Sequence, residues 1–280
     1  MTKGTRHVAS VVDHAYARWL VTQGVRSPRW KEAGGGDGWL IGVSGLHARR
    51  APGNTCLAAM CAARPGSVAQ PLNDSKGCGG VMRAAPTGLL ARRHGGDPFE
   101  LGRDIAALTH GHPSGHLPAG ALAALVAALC ADDPLNAALD GVEQRLAQEP
   151  GHEETLTALR AARALARTGG EPSPEAVAQL GEGWVGEEAL AIAVYCALGA
   201  RDFAHGVKLA VNHSGDSDST GAITGNILGT LLGRAAIPAH WLDRLELRAE
   251  IARLCEDMSA VYGPDVAPDA DGWPARYPGW

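Results

Sequence analysis

Apart from residues 244–251, no stretch of this 280-residue chain alternates apolar and polar side chains convincingly over five or more positions. A half-buried strand needs that period of two, because its successive side chains point to opposite faces. The periodic segments repeat instead at three and four residues, and nearly all open on a helix-start signal. Asp97-Pro98, Asp133-Pro134 and Ser173-Pro174 each set a capping side chain before a proline suited to the first turn. Asp202 is placed to cap residues 203–211. The pattern predicts an all-α fold, a single-domain multi-helix orthogonal bundle spanning residues 1–280.

Other segments sharpen that expectation. Residues 5–23 carry Val8, Val11, Val12, Ala15, Trp19 and Leu20 on one stripe. Residues 25–53 are rich in Gly, Pro and Arg, including the run Gly34-Gly35-Gly36-Asp37-Gly38, and read as loop. Asn54 is placed to cap a short helix. Residues 115–131 are almost wholly Ala and Leu and read as buried, whereas 152–168 carry several arginines and read as a solvated face. A helix is expected over 133–148, another over 189–198, and one long helix over 239–261. The tail to Trp280 reads as irregular chain packed through its tryptophans.

Composition narrows the class. Hydrophobic residues make up 45% of the chain, enough for a large core. A net charge of −5 argues against a nucleic-acid-binding surface. No apolar run approaches the ~20 residues of a membrane span, and the N-terminus has no signal core. Six cysteines without a Cys-x-x-Cys pair read as buried free thiols in a reducing compartment. These features lead to the expectation of a cytoplasmic protein with neither nucleic acid nor membrane as partner.

Two stretches carry chemistry. In Val211-Asn212-His213-Ser214-Gly215-Asp216-Ser217-Asp218-Ser219-Thr220, Asp216, Asp218 and Ser219 offer only oxygen, which hard cations such as Mg²⁺ or Ca²⁺ require. The same residues also suit a helix N-terminus with no metal. Gly221, Gly225, Gly229 and Gly233 follow at every fourth position, which predicts one helix face approached closely by another backbone. The second stretch runs from Pro71 to Arg83 and holds Ser75, Gly77, Cys78, Gly79 and Gly80. A glycine-rich turn entering a helix can aim backbone N–H groups at an anion such as a pyrophosphate. It can equally be a tight loop that lets helices approach. His110 and His112 stand at a helix end before Pro113 and read as hydrogen-bonding or substrate-contact residues rather than zinc ligands. Glu187 and Glu188 fit either a catalytic role or a dipole partnership in a first helical turn.

Taken in order, Asn73-Asp74-Ser75-Lys76-Gly77-Cys78-Gly79-Gly80-Val81-Met82-Arg83, Thr109-His110, Gly183-Trp184-Val185 and the Gly215-Asp216-Ser217-Asp218-Ser219 motif resemble the ADP-ribosylglycohydrolase family, of the dinitrogenase-reductase-activating glycohydrolase type. The resemblance covers nearly the whole chain. It implies an all-α fold and hydrolysis of a glycosidic bond to ADP-ribose, on a protein side chain or a small molecule. It implies Mg²⁺, or Mn²⁺, as cofactor, with Asp216, Asp218 and Ser219 as metal ligands. It also implies that Ser75, Gly77, Cys78, Gly79, Gly80 and His110 bind substrate. Two further family elements, Gly-Asp-x-x-Gly with a following glutamate and Thr-Asp-Asp-Thr, do not occur in this sequence. Part of the metal shell and the usual catalytic glutamate are therefore unmatched, and the catalytic residue is unknown. The alternative function is a catalytically impaired relative that binds ADP-ribose or a nucleotide. Apolar surface left uncovered near residues 8–20 and 221–233 implies self-association.

Overall fold

The computed structural model describes residues 7–28, 38–94, 96–168, 170–262 and 272–278. Among them the regular structure is helical, as the missing alternation requires. The helices are α1 Val8–Thr22, α2 Asn54–Met60, α3 Ala85–His94, α4 Pro98–Ala107, α5 Pro113–Leu129, α6 Leu135–Leu146 and α7 Glu153–Arg167. They continue with α8 Pro174–Val177, α9 Gly186–Leu198, α10 Phe203–Val211, α11 Ser217–Leu232, α12 Ala239–Asp243, α13 Arg248–Tyr262 and α14 Trp273–Arg276. The only extended pairing among the described residues is an antiparallel bridge between Gly77 and Val185. Two compact units form, Met1–Pro65 with Leu242–Trp280, and Gly66–Trp241.

The larger unit is built on α5. Its Ala- and Leu-rich sequence leaves no polar face, and Leu117, Leu122 and Leu125 are buried to 1% exposure or less. Burying a leucine side chain contributes about 1.5–3 kcal/mol. Helices α3, α4, α6 and α9 pack around α5, and α7, α10 and α11 pack on α9. Pro118 lies inside α5 and cannot donate to the carbonyl of Ser114 four residues back. The first residue of α9, Gly186, sits over that carbonyl and the Pro118 ring, where a Cβ would strike both.

The caps explain most helix starts. Asp97 accepts from the Phe99 N–H at 2.9 Å, Ser173 from Ala176 at 3.2 Å and Asp202 from His205 at 2.7 Å. Two expected caps differ. Gly53 occupies the N-cap of α2 and Asn54 is already helical, with no side-chain cap. Pro134 holds that place in α6, and Asp133 does not cap it. The helix expected over 239–261 is two helices, divided where Leu247 takes φ 57°. Nor is the arginine face of α7 fully solvated. Arg163 is 5% exposed and donates to Asp140 at 2.6 Å and Glu143 at 2.5 Å, both on α6.

The glycine face of α11 also differs from expectation. Only Gly221 is crowded, by the Val211 side chain, while Gly225 has open space where a Cβ would stand. Leu231 and Leu232 near the end of this helix are exposed, as is Val211 on α10. Backbone does crowd glycines elsewhere, notably Gly215 against the Glu182 carbonyl.

In the smaller unit, Leu20 of α1 is fully buried. The Ser27 hydroxyl donates to the Met60 carbonyl at 2.6 Å. Asp257 of α13 accepts from the Tyr277 hydroxyl at 2.6 Å and from Arg276 at 3.1 Å. These contacts tie α14 down, in keeping with a tail that packs through its aromatic residues. Residues 29–37, with Gly34, Gly35 and Gly36, and residues 263–271 lie outside the described residues. Against the expectation of buried thiols, Cys78 and Cys196 are buried, Cys56, Cys61 and Cys130 are half-buried and Cys255 is exposed.

Candidate active site

The glycine-rich loop before α3 is fixed from both sides. Asn73 Oδ1 accepts from the Ser75 N–H at 3.0 Å and from the Gly111 N–H at 3.1 Å, while its Nδ2 donates to the Thr109 carbonyl at 2.9 Å. Ser75 Oγ accepts from the Gly77 N–H at 3.2 Å. The loop then pairs with the residues entering α9. Gly186 N–H donates to the Lys76 carbonyl at 2.8 Å, and Cys78 N–H to the Trp184 carbonyl at 3.1 Å. Gly79 and Gly80 turn the chain into a short 3-10 turn, Val81–Arg83. Lys76 Nζ meets Glu154 at the start of α7 at 2.6 Å, and Ser114 Oγ donates to the same carboxylate. The hydrogen bond to Glu154 raises the Lys76 pKa, and the same contact lowers that of Glu154.

His110 lies beneath this loop. It is 2% exposed, with its Nε2 only 3.4 Å from where a Cβ on Gly77 would be. Nδ1 is 2.8 Å from the Thr109 hydroxyl, which accepts from Arg83 at 2.6 Å. Burial, then the charges of Arg83 and His116, push the His110 pKa down to about 3. The imidazole is therefore neutral and supports the loop from below. His112 caps α5, its Nδ1 accepting from the Ser114 N–H at 3.0 Å.

The acidic stretch meets the same loop. Asp216 is 7% exposed at the N-cap of α11, and its N–H donates to the Glu182 carbonyl at 2.7 Å. The Cys78 thiol donates to Asp216 Oδ2 at 2.8 Å and lies 3.4 Å from Ser219 Oγ. Burial and the Asp216 contact push the Cys78 pKa up to about 12, so it remains a thiol donor. Asp218 is exposed, and the neighbouring Asp216 carboxylate raises its pKa. Ser219 is buried, with its hydroxyl 3.8 Å from Met82 Sδ. Behind them, Thr220 donates to the Ala210 carbonyl at 2.7 Å and lies 3.0 Å from His213 Nε2. His213 Nδ1 accepts from the Gly215 N–H at 3.1 Å, which assigns the proton to Nε2.

The structure thus brings Cys78, Asp216 and Ser219 together, with Asp218 alongside. Sequence reading names Gly183-Trp184-Val185 as part of the family pattern but gives no role to residues 181–186, the third stretch of chain at this junction. Glu188 Oε2 accepts from both the Glu182 and Gly183 N–H groups at 3.0 Å, and Gly183 turns at φ 79°. That makes Glu188 structural. Glu187 differs, because burial raises its pKa and its Oε2 has no partner among the described residues. A glutamate at the third position of a helix is a signal for such reaching back, but here it passes the N-cap and reaches N–H groups five and six residues upstream, which spacing does not mark.

The donors at the start of α11 are two carboxylates and a hydroxyl, all oxygen, which fits Mg²⁺ with water completing the shell. Among the described residues no three His, Cys, Asp or Glu side chains converge as a metal-binding group.

The site thus belongs to an all-α fold in which a glycine-rich loop is hydrogen-bonded to an acidic helix start. The family model for ADP-ribosylglycohydrolase matches residues 1–267, and the chain belongs to that family. It is similar to an ADP-ribosylarginine hydrolase of Serratia proteamaculans, 35% identical over 71 residues, which are 25% of this chain and 19% of that protein. It is also similar to the ADP-ribosyl-[dinitrogen reductase] glycohydrolase of Rhodospirillum rubrum, 39% identical over 57 residues, 20% of this chain and 19% of that one. A solved structure described as an ADP-ribosylglycohydrolase-related protein complex superposes with a TM-score of 0.53 at 31% identity, covering 66% of this chain and 61% of the other. The matched stretches span about a fifth of each curated relative.

Proposed function

We propose that the chain is a glycoside hydrolase that cleaves an N- or O-glycosidic bond to ADP-ribose, carried by a protein side chain or a small molecule, with Mg²⁺ as its metal. The observation that carries this reading is the hydrogen bond from Cys78 to Asp216, which joins the glycine-rich loop to the oxygen-only helix start. Within residues 75–80, the N–H groups of Lys76, Gly79 and Gly80, rather than those engaged in the loop's own hydrogen bonds, would supply an anion cradle for the diphosphate. Asp216, Asp218 and Ser219 would hold the ion, which supplies positive charge to the ribose hydroxyls. Cleavage at the anomeric carbon builds oxocarbenium character on the sugar, so a fixed ribose lowers the barrier. Cys78 orients Asp216 by donating its proton while remaining neutral. His110 keeps the loop in place from beneath.

The second reading is an ADP-ribose-binding relative without turnover. It is favoured by the shortage of converging ligands around Asp216 and Asp218 among the described residues. Calorimetric titration of ADP-ribose with and without Mg²⁺, beside a hydrolysis assay on ADP-ribosyl-arginine and ADP-ribosyl-serine, tests both. Metal-dependent binding is expected, weakened at least tenfold in Asp216→Ala and Asp218→Ala, with hydrolysis abolished. Wild-type affinity in both variants would remove the metal assignment. Binding without hydrolysis would favour the second reading.

A further inference from the structure

The smaller unit holds a cavity of about 470 Å³, lined only by residues of that unit. Helix α1 gives it one wall. Val11, Ala15 and Arg18 recur at helical spacing on a single stripe, and Trp19 stands beside them. The 3-10 turns Trp39–Gly42 and Ser44–His47 give another wall, with Leu40, Ile41 and Leu46. Leu254 of α13 and the Tyr277-Pro278 tail complete it. Val11, Trp19, Leu40, Ile41, Leu46 and Leu254 are only half-buried. Apolar side chains around an empty space lack neighbouring atoms, which costs stability that a bound molecule restores. The volume falls within the range of small-molecule sites, about 300–1,000 Å³.

The charged groups at this cavity have one sign. Arg18 and Arg276 line it, and no Asp or Glu does. Arg18 donates to the Pro278 carbonyl at 3.2 Å, which fixes its guanidinium against the tail. Both arginines therefore lie at the same end, since Arg276 is two residues before Pro278. Asp257 holds Arg276 at 3.1 Å and lies 4.0 Å from Arg253, whose guanidinium also stands over the Trp39 ring at 5.2 Å. One carboxylate is thus shared between two guanidinium groups, and Arg18 adds a third positive charge from α1.

We infer that the cavity binds a small apolar monocarboxylate, an acyl chain with one anionic end. The chain lies against Trp19, Leu40, Ile41 and Leu46, and the carboxylate meets the arginine end. A guanidinium presents a fixed fork of donors that matches a carboxylate. An alcohol of the same length fits the apolar walls without using that charge, and an amine opposes it. The inference does not rest on the glycohydrolase reading, because every group it uses belongs to the smaller unit.

Calorimetric titration of octanoate into the full chain, beside octanol and octylamine, tests it. One octanoate per chain is expected to bind saturably, with octanol about tenfold weaker and octylamine weaker still. Octanoate should also raise the melting temperature, because a ligand held only by the native chain stabilises it by mass action. Ala15→Phe places a ring in the cavity from an exposed position, so it should keep the fold and weaken octanoate at least tenfold. Arg18→Gln should weaken octanoate about tenfold and leave octanol unchanged, a shift in selectivity that a loosened fold would not produce. No saturable octanoate binding by the wild type would overturn the proposal. Octanol or octylamine binding as tightly as octanoate would do the same, as would wild-type octanoate affinity in a folded Ala15→Phe. Should that variant fail to fold, Arg18→Gln decides alone, and an unchanged preference for octanoate over octanol there overturns the proposal.

Discussion

At the scale of single residues, the chain puts polar groups where their partners cannot be guessed. Arg163 shows the cost of such a placement most directly. Its guanidinium is buried between Asp140 and Glu143, so it joins α7 to α6. Removing it leaves Glu143, itself 15% exposed, with only the exposed Arg160 as a charge partner among the described residues. Arg163→Ala is expected to destabilise the fold by about 3 kcal/mol, read as a shift of the urea midpoint. A change within about 0.5 kcal/mol would show that the pair contributes no more than a surface contact does. Spacing along α7 marks this arginine as one of several on a polar face. Nothing local distinguishes it from Arg160, because the distinction lies in which helix packs alongside.

At the scale of elements, helix starts were legible and glycines were not. Asp97, Ser173 and Asp202 each bond the N–H that a capping residue should, since a cap is local and depends on a neighbour two or three residues away. The glycines of α11 repeat as regularly as any close-packed face, yet Gly225 has no neighbour within reach of a Cβ. Gly225→Ala is therefore expected to stabilise the protein by about 1 kcal/mol, seen in thermal or urea unfolding. A loss of stability would show that this face is covered in solution. Gly215 obeys the opposite logic, since any side chain there meets the Glu182 backbone. Both glycines stand in the same motif, and only their surroundings assign them different roles. The candidate site follows the same division. Asp216, Asp218 and Ser219 are recognisable from oxygen chemistry at one helix start. The thiol of Cys78, supplied from 138 positions earlier, comes into contact only through the fold.

At the scale of the whole molecule, buried histidines should set the acid limit of stability. Burial holds the His110 pKa near 3, and burial also lowers that of His116. The unfolded chain takes up these protons near pH 6.5, while the native chain refuses them. The His110 contribution is therefore fully present above about 6.5 and falls as pH drops toward 3, by about 1.4 kcal/mol per pH unit, and His116 adds a loss of the same sign. His110→Gln should flatten the decline in melting temperature between about pH 6.5 and about pH 4.5. An unchanged slope would place the acid sensitivity elsewhere. The all-α class itself needed no such detail. It follows from a period that runs through almost every segment, whereas the division of residues 239–261 at Leu247 depends on one left-handed backbone angle.

The seat of Gly186 on α5 has a mechanical consequence. Pro118 opens a gap in the hydrogen-bond ladder of α5 at Ser114, and α9 begins with the one residue small enough to enter it. The joint acts like a key in a slot. Helix α9 cannot slide along α5 by a residue without losing that fit, and the segment carrying Glu182 and Trp184 is anchored to its first turn. The register of residues 182–186 between the Lys76 carbonyl and the Asp216 N–H is thus set in part by a proline in α5, and a slip there would move both anchors of that segment together.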